Sequence, residues 1–214
     1  MVTEGGREVE IKFVIADHPA LERRLAQAGF WQKHASAFED NILFDDASAT
    51  LRQRGDILRL RQFAGKYWLT HKSKGSAGRH KIRLERECEV SDGAQLRAIL
   101  EALGYRPAFR YEKYRAVWTD GHGEVVLDRT PIGGFGEIEG APQWIDRTAQ
   151  LLGIRSEHYI TASYGELFAQ WNQKTASPAA NMTFAECGNA AEGSSVAECG
   201  TVAECGTSAK PPEE

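Results

Sequence analysis

Glu8-Val9-Glu10-Ile11-Lys12-Phe13 alternates strictly: read as a strand, it carries Val9, Ile11 and Phe13 on one face and Glu8, Glu10 and Lys12 on the other. The same alternation returns along the chain. Leu58-Arg59-Leu60-Arg61 sets leucines against arginines; Lys81, Arg83, Glu85, Glu87 and Glu89 share a face, as do Lys113 and Arg115, and Glu137 and Glu139. The charged face of a half-buried strand normally meets solvent. That accounts for any one of these strands taken alone. It does less well for the set, because charges of both signs recur on most strands and the chain supplies amphipathic helices to cover the apolar faces. A sheet closed on itself, with helices outside and the charged faces in the lumen, satisfies all of this and leaves no exposed strand edge. Charge in a lumen is costly unless it pairs or binds ions. The architecture therefore implies a charged ligand.

Outward from these strands the chain reads as α+β. Eight segments read as strands, at about 7–14, 40–45, 57–63, 66–73, 81–89, 111–119, 124–128 and 135–139. Four helices are predicted between them. The first starts near Pro19 and stops at Gly29, and the second runs from Ser91 and Asp92 to Leu103. The third starts at Pro142 and ends before Gly153, and the fourth covers Thr161 to Asn172, with Tyr164, Leu167, Phe168 and Trp171 on one core stripe. The expected fold is a closed eight-stranded antiparallel β-tunnel with helices packed outside, formed by residues 1–174. Trp68 shares the expected lumen face with Thr70 and Lys72, while His71 points away. Trp31, Trp118, Trp144 and Trp171 read as core.

Residues 175–214 read differently. From Thr183 a six-residue pattern repeats as TFAECG, NAAEGS, SVAECG, TVAECG and TSAKPP. Small and acidic residues of this kind bury too little surface to fold, so 175–214 is expected to be a disordered tail. Its cysteines, 187, 199 and 205, lack the Cys-x-x-Cys spacing of zinc knuckles.

The formal net charge of −4 is concentrated in that tail: the first 174 residues carry 25 basic and 24 acidic side chains. Nucleic-acid binding through bulk charge is not indicated, and an anion would be held by local placement of charge. No apolar run approaches the ~20 residues of a membrane span. Met1 to Arg7 shows no basic-then-apolar leader pattern, and a cytoplasmic protein is expected. A homodimer is compatible with the sequence.

The motifs resemble those of the CYTH superfamily, the triphosphate tunnel metalloenzymes, which takes in class IV adenylate cyclases, thiamine triphosphatases and inorganic triphosphatases. The resemblance rests on Glu8-x-Glu10-x-Lys12 followed in order by Phe44-Asp45, Leu58-Arg59-Leu60-Arg61 and Leu69-Thr70-His71-Lys72. Arg83-x-Glu85-x-Glu87, Lys113-x-Arg115, Leu127-Asp128, Gly136-Glu137-Ile138-Glu139-Gly140 and Ser163-Tyr164 continue it. It implies an eight-stranded tunnel, a triphosphate-bearing small molecule as substrate, and Mg²⁺ or Mn²⁺ as cofactor.

On that basis Glu8, Glu10, Asp128, Glu137 and Glu139 are the expected metal side, since hard divalent cations take oxygen ligands. Lys12, Arg59, Arg61, Lys72, Lys113 and Arg115 are the expected phosphate grips. Glu85 joins the substrate-binding set as a partner, with Glu87, of Arg59 and Arg61 in the empty tunnel. Lys72 is the expected catalytic base, on condition that neighbouring cations lower its pKa. A tyrosine–lysine version of that base is weakened by Ile42-Leu43-Phe44, which holds no tyrosine. The expected activity is metal-dependent hydrolysis of tripolyphosphate, thiamine triphosphate or a nucleoside triphosphate. A class IV adenylate cyclase is the first alternative, weakened by Gly5, Gly6 and Arg7 where some cyclases carry a histidine-phenylalanine pair. A non-catalytic polyphosphate- or nucleotide-binding module is the second.

Overall fold

The computed structural model describes residues 6–76 and 78–188. Eight strands form: β1 (Arg7–Val14), β2 (Trp31–Asp45), β3 (Ile57–Phe63), β4 (Lys66–Lys72), β5 (Lys81–Val90), β6 (Arg106–Thr119), β7 (Glu124–Thr130) and β8 (Gly133–Glu139). They close into an antiparallel barrel in the order β1-β5-β4-β3-β2-β6-β7-β8. Two meanders, β2 to β5 and β6 to β8, are joined by β1, which pairs with β5 on one side and β8 on the other. In this ring β1 stands across from β2 and its neighbours β3 and β6.

The apolar faces turn outward, under helices. Val9, Ile11 and Phe13 pack beneath α1 (His18–Gln27) and α4 (Pro142–Leu151), against Leu21, Leu25, Trp144 and Ile145. Phe44 and Leu60 meet Leu100 of α3 (Gly93–Ala102). The helix starts follow their caps: Asp17 accepts from the Ala20 amide, and Asp92 from the Gln95 amide. Gly136 is required by a close approach, since a Cβ there would lie 2.1 Å from the Phe13 ring.

Three expectations needed correction. β2 begins at Trp31 and β6 at Arg106, well before the predicted starts at 40 and 111. The β2–β6 register shifts between Gln32 and His34 and again between His34 and Ala37, so the period-two signal is lost there. Trp31, placed in the core by its hydrophobicity, is 54% exposed on that irregular stretch. A short helix, α2 (Thr50–Arg54), follows β2, its amides and the turn before it held by the Asp45 and Asp46 carboxylates.

The boundary at 174 is the third correction. After α5 (Tyr164–Thr175) the chain turns back onto the barrel and ends its described part in α6 (Phe184–Cys187). β6 extends beyond the reach of β7, and Met182 uses the freed edge: its amide donates to the Arg110 carbonyl at 3.0 Å, and its carbonyl accepts from the Glu112 amide at 2.9 Å. Met182 is fully buried with Tyr111, Phe135, Tyr164 and Phe168. Phe184 packs on Tyr114, and Glu186 takes the Ala180 and Asn181 amides. The first hexapeptide is thus anchored by its phenylalanine, which the later copies lack, and by the methionine just before it; those copies, from residue 189, lie outside the described residues. Met182→Ala is expected to destabilise the protein by about 2–5 kcal/mol in a denaturant melt and to open 176–188 to protease. No change in either would show the strap to be a passive contact.

Among the described residues no helix is long and apolar enough to cross a membrane.

Candidate functional site

The lumen is a cavity of about 1410 Å³. Glu8, Glu10, Lys12, Arg59, Arg61, Lys72, Glu85, Lys113, Arg115, Glu137 and Glu139 all line it, brought together from six strands by the alternation first visible in the sequence. Trp68 lines it too, its ring 4.7 Å from the Arg61 guanidinium. His71 falls between Thr70 and Lys72 in β4, on the alternate face.

A basic wall runs along β3 and β6. Arg59 and Arg61 share Glu87, at 3.4 and 2.8 Å, and Arg59 reaches Glu85 at 3.9 Å. Arg115 grips Asp128 with both arms, at 2.7 and 2.6 Å, and Glu137 at 2.6 Å. Lys113 holds Asp128 at 3.0 Å and Glu39 at 3.3 Å. Burial favours the neutral forms of Glu137 and Arg115, but charge prevails: Lys12 and then Arg115 act on Glu137, and Asp128 and then Glu137 act on Arg115. Glu137 is held well below the usual carboxylate range and Arg115 well above its ordinary value. The pairing holds the wall's side chains in place.

Opposite, β1 and β8 carry Glu8, Glu10 and Glu139; Glu8 pairs with Lys72 at 2.6 Å and lies 3.8 Å from Arg83, and Glu10 lies 3.7 Å from Lys81. Glu10 and Glu139 stand directly across the β1–β8 ladder, two like charges in register, a destabilising arrangement unless a cation is shared. Burial pushes the Glu139 carboxyl up to about 7, and the Glu8 and Glu10 charges push the same way. One oxygen of Glu8, Oε2, is buried without a hydrogen-bond partner. This donor set is all oxygen and fits a hard divalent cation. Among the described residues no three His, Cys, Asp or Glu side chains already stand in a metal-holding group, so these carboxylates would have to converge.

Asp128 and Glu137, also expected on the metal side, are paired with cations, as Glu8 is with Lys72. Asp128 is fully buried and accepts from Arg115, Lys113 and the Tyr164 hydroxyl, the last at 2.5 Å. Glu137 is divided between Lys12 at 2.5 Å and Arg115. Both anchor cations in this state.

Lys72 is bonded to Glu8 at 2.6 Å and Glu85 at 3.1 Å. Burial lowers its pKa, but the Glu8 and Glu85 charges outweigh burial and the Arg59 charge, and the net direction is upward. Glu8 and Glu85 thus keep Lys72 an ammonium, and the lowered pKa that a lysine base requires is not met beside them. Tyr164, assigned to the core stripe of its helix, does more than pack. Its ring lies against Tyr111 and Phe135, and the Lys12 and Lys113 ammoniums sit 4.6 and 4.7 Å from its centroid. Burial, then the Asp128 and Glu137 charges, raise its pKa well above 10, so the phenol stays a donor.

Two lumen residues escaped sequence reading. Glu39 and Asn41 are fully buried beneath the basic wall, with Asn41 Nδ2 donating to Glu39 Oε1 at 3.0 Å. The signal was present in Glu39-x-Asn41-x-Leu43, but the expected strand began one residue too late to include Glu39.

The sequence matches the CYTH domain family model over residues 6–164. A protein of Methanocaldococcus jannaschii named as a candidate adenylate cyclase is 26% identical over 171 residues, 75% of this chain and 97% of that protein. The X-ray structure of a protein of Vibrio parahaemolyticus, also named as a candidate adenylate cyclase, superposes with a TM-score of 0.68 at 21% identity, covering 77% of this chain and 99% of that one. A Hippeastrum protein superposes with a TM-score of 0.56 at 21% identity, over 76% of this chain and 95% of its own; it is described as a candidate adenylyl cyclase with a dominant triphosphatase activity. At these identities the two structures share the fold with this chain.

Proposed function

The chain belongs to the CYTH domain family, and from that membership we propose that its tunnel is the active site of a divalent-metal-dependent triphosphatase. The observation that carries the reading is the placement of charge in the lumen: the carboxylates Glu8, Glu10 and Glu139 on β1 and β8, facing Arg59, Arg61, Lys113 and Arg115 on β3 and β6. A metal–triphosphate complex places its charges to match. The triphosphatase activity described for the Hippeastrum protein supports the choice of reaction.

A triphosphate carries about four negative charges at neutral pH, given a terminal second pKa near 6. The guanidinium forks of Arg59, Arg61 and Arg115 match phosphate oxygens bidentately, while Lys12, Lys72 and Lys113 add point charges. Glu85 and Glu87 hold the cations until phosphate displaces them. Mg²⁺ or Mn²⁺ held by Glu8, Glu10 and Glu139 would neutralise phosphate charge and lower the pKa of a bound water. The protein's own part is positioning and charge neutralisation, the main demands of phosphoryl transfer. Water attacks the terminal phosphorus, the bridging P–O bond breaks, and the remaining diphosphate leaves with that electron pair.

The test follows both products. Purified protein is given tripolyphosphate, thiamine triphosphate and ATP separately, with Mg²⁺ and with Mn²⁺. Phosphate release that chelator and Glu10→Ala abolish is the expected result, and its best substrate names the enzyme. Cyclic AMP with pyrophosphate from ATP would instead place the protein with the adenylate cyclases its relatives are named for. Tight metal-dependent binding without either product would leave a binding module.

A further inference from the structure

Glu39, like Asp128, is a fully enclosed charge of the tunnel. Its side chain has 0% exposure and lies beneath the basic wall. Lys113 approaches at 3.3 Å, Arg115 at 3.8 Å and Arg61 at 4.0 Å. Burial would keep the carboxyl neutral, but Lys113, Arg115, Arg61 and Arg59 overcome it and hold Glu39 ionised, far below the usual carboxylate range. Asn41 Nδ2 donates to its Oε1, while its Oε2 has no hydrogen-bond partner and faces the cations through ion pairs.

Asp128, which pairs with Lys113 and Arg115, is equally enclosed, but Glu39 also reaches Arg61; two other counter-ions of the wall differ in exposure. Glu87 and Glu137 keep 21% and 12% of their side chains exposed and line the cavity. An arriving phosphate can displace them toward solvent. Glu39 has no solvent to turn to. Whatever the phosphates do, its negative charge stays behind the cations.

We propose that Glu39 sets the anion affinity of the basic wall: a fixed counter-charge that stops Arg61, Lys113 and Arg115 from holding a bare polyphosphate, so that strong binding requires the metal and the polyanionic product can leave. The inference rests on the triphosphate reading of the tunnel. It concerns a residue that touches the phosphate grips and not the reacting atoms, and so is a specificity determinant.

The probe is sodium tripolyphosphate in the presence of EDTA, titrated calorimetrically into the wild-type chain, Glu39→Gln and Glu39→Asp. One unit charge removed behind the wall, at an effective dielectric near 20, tightens metal-free binding of this polyanion by roughly tenfold or more. Glu39→Asp keeps the charge and returns toward the wild-type affinity. In turnover with Mg²⁺, Glu39→Gln lowers KM and kcat together, because product is held; a merely structural residue would raise KM and lower kcat/KM. If Glu39→Gln alone does not fold, Lys113→Met is compared with the charge-balanced Glu39→Gln/Lys113→Met pair, and the double variant binds more tightly. Metal-free affinity that is unchanged or weaker in a folded variant lacking Glu39 overturns the proposal. A wild type that binds tripolyphosphate but hydrolyses none would sink the triphosphatase reading and leave this one standing.

Discussion

Arg115→Ala is expected to cost about 3–5 kcal/mol of folding stability, the largest effect of any single change in the lumen. The cause is what it leaves behind. Asp128 and Glu39 have 0% side-chain exposure and Glu137 only 12%, and all three carboxylates lean on this one guanidinium. Lys113 and Lys12 remain, but neither can replace a fork that spans Asp128 and Glu137 at 2.6 Å each. Arg115→Lys should rescue little for the same reason. The deficit also has a pH signature. Glu137 is held well below its ordinary value, with Lys12 and Arg115 overcoming burial. A depressed carboxyl contributes stability above its unfolded pKa that is lost as pH falls through the folded one. The variant has less of this to lose, so its deficit should narrow toward acid pH. Urea melts at pH 7.5 and pH 4 measure both effects. A deficit below about 1 kcal/mol would put these pairs in the class of surface ion pairs and remove the argument that they hold the wall's side chains in place.

That argument was partly legible beforehand. Strict alternation in residues 8–13, 58–61 and 113–115 reports backbone geometry and needs no tertiary context, so it placed the lumen cations correctly. Glu39 was missed because bulges upstream broke the alternation that would have extended β2. Tyr164 packs in the apolar cluster with Phe168, as its helical stripe indicated, but a stripe says which residues share a face and not what else that face meets, here the Asp128 carboxylate. The strap was invisible for another reason. Composition argued against folding, and it is only the unpaired edge of β6, a consequence of β7 being short, that gives Met182 and Phe184 somewhere to go. The pairing of the carboxylates is likewise tertiary. Alternation put Glu8, Glu10, Glu137 and Glu139 in the lumen, but the partners of Glu137 and Asp128 come from β6, β1 and α5.

Glu139→Gln should raise the stability of the metal-free protein and remove its activity. Glu139 stands opposite Glu10 on one side and Glu124 on the other. Burial, reinforced by Glu8 and Glu10, lifts its carboxyl from an ordinary 4.5 to about 7. Between those values the folded state holds a proton that the unfolded state has lost. The associated stability is complete below 4.5 and disappears as pH rises through 7. A glutamine cannot ionise and escapes this loss. In EDTA the variant should match the wild type near pH 4.5 and exceed it by up to about 3 kcal/mol at pH 8. A bound divalent cation inverts the order. It stabilises the state that ligates it, and the wild type must release the Glu139 proton to do so, so its gain from Mn²⁺ should grow from pH 6 to pH 8. The variant should gain little, and its hydrolysis should fall by at least the roughly 100-fold that even outer-shell metal partners command. Thermal melts with EDTA and with Mn²⁺ at the two pH values read the crossing directly. A variant less stable than the wild type at pH 8 in EDTA would mean that Glu139 is a satisfied structural carboxylate. A crossing would show a site held under charge repulsion that only its cation relieves, the usual form in which an active site trades stability for function.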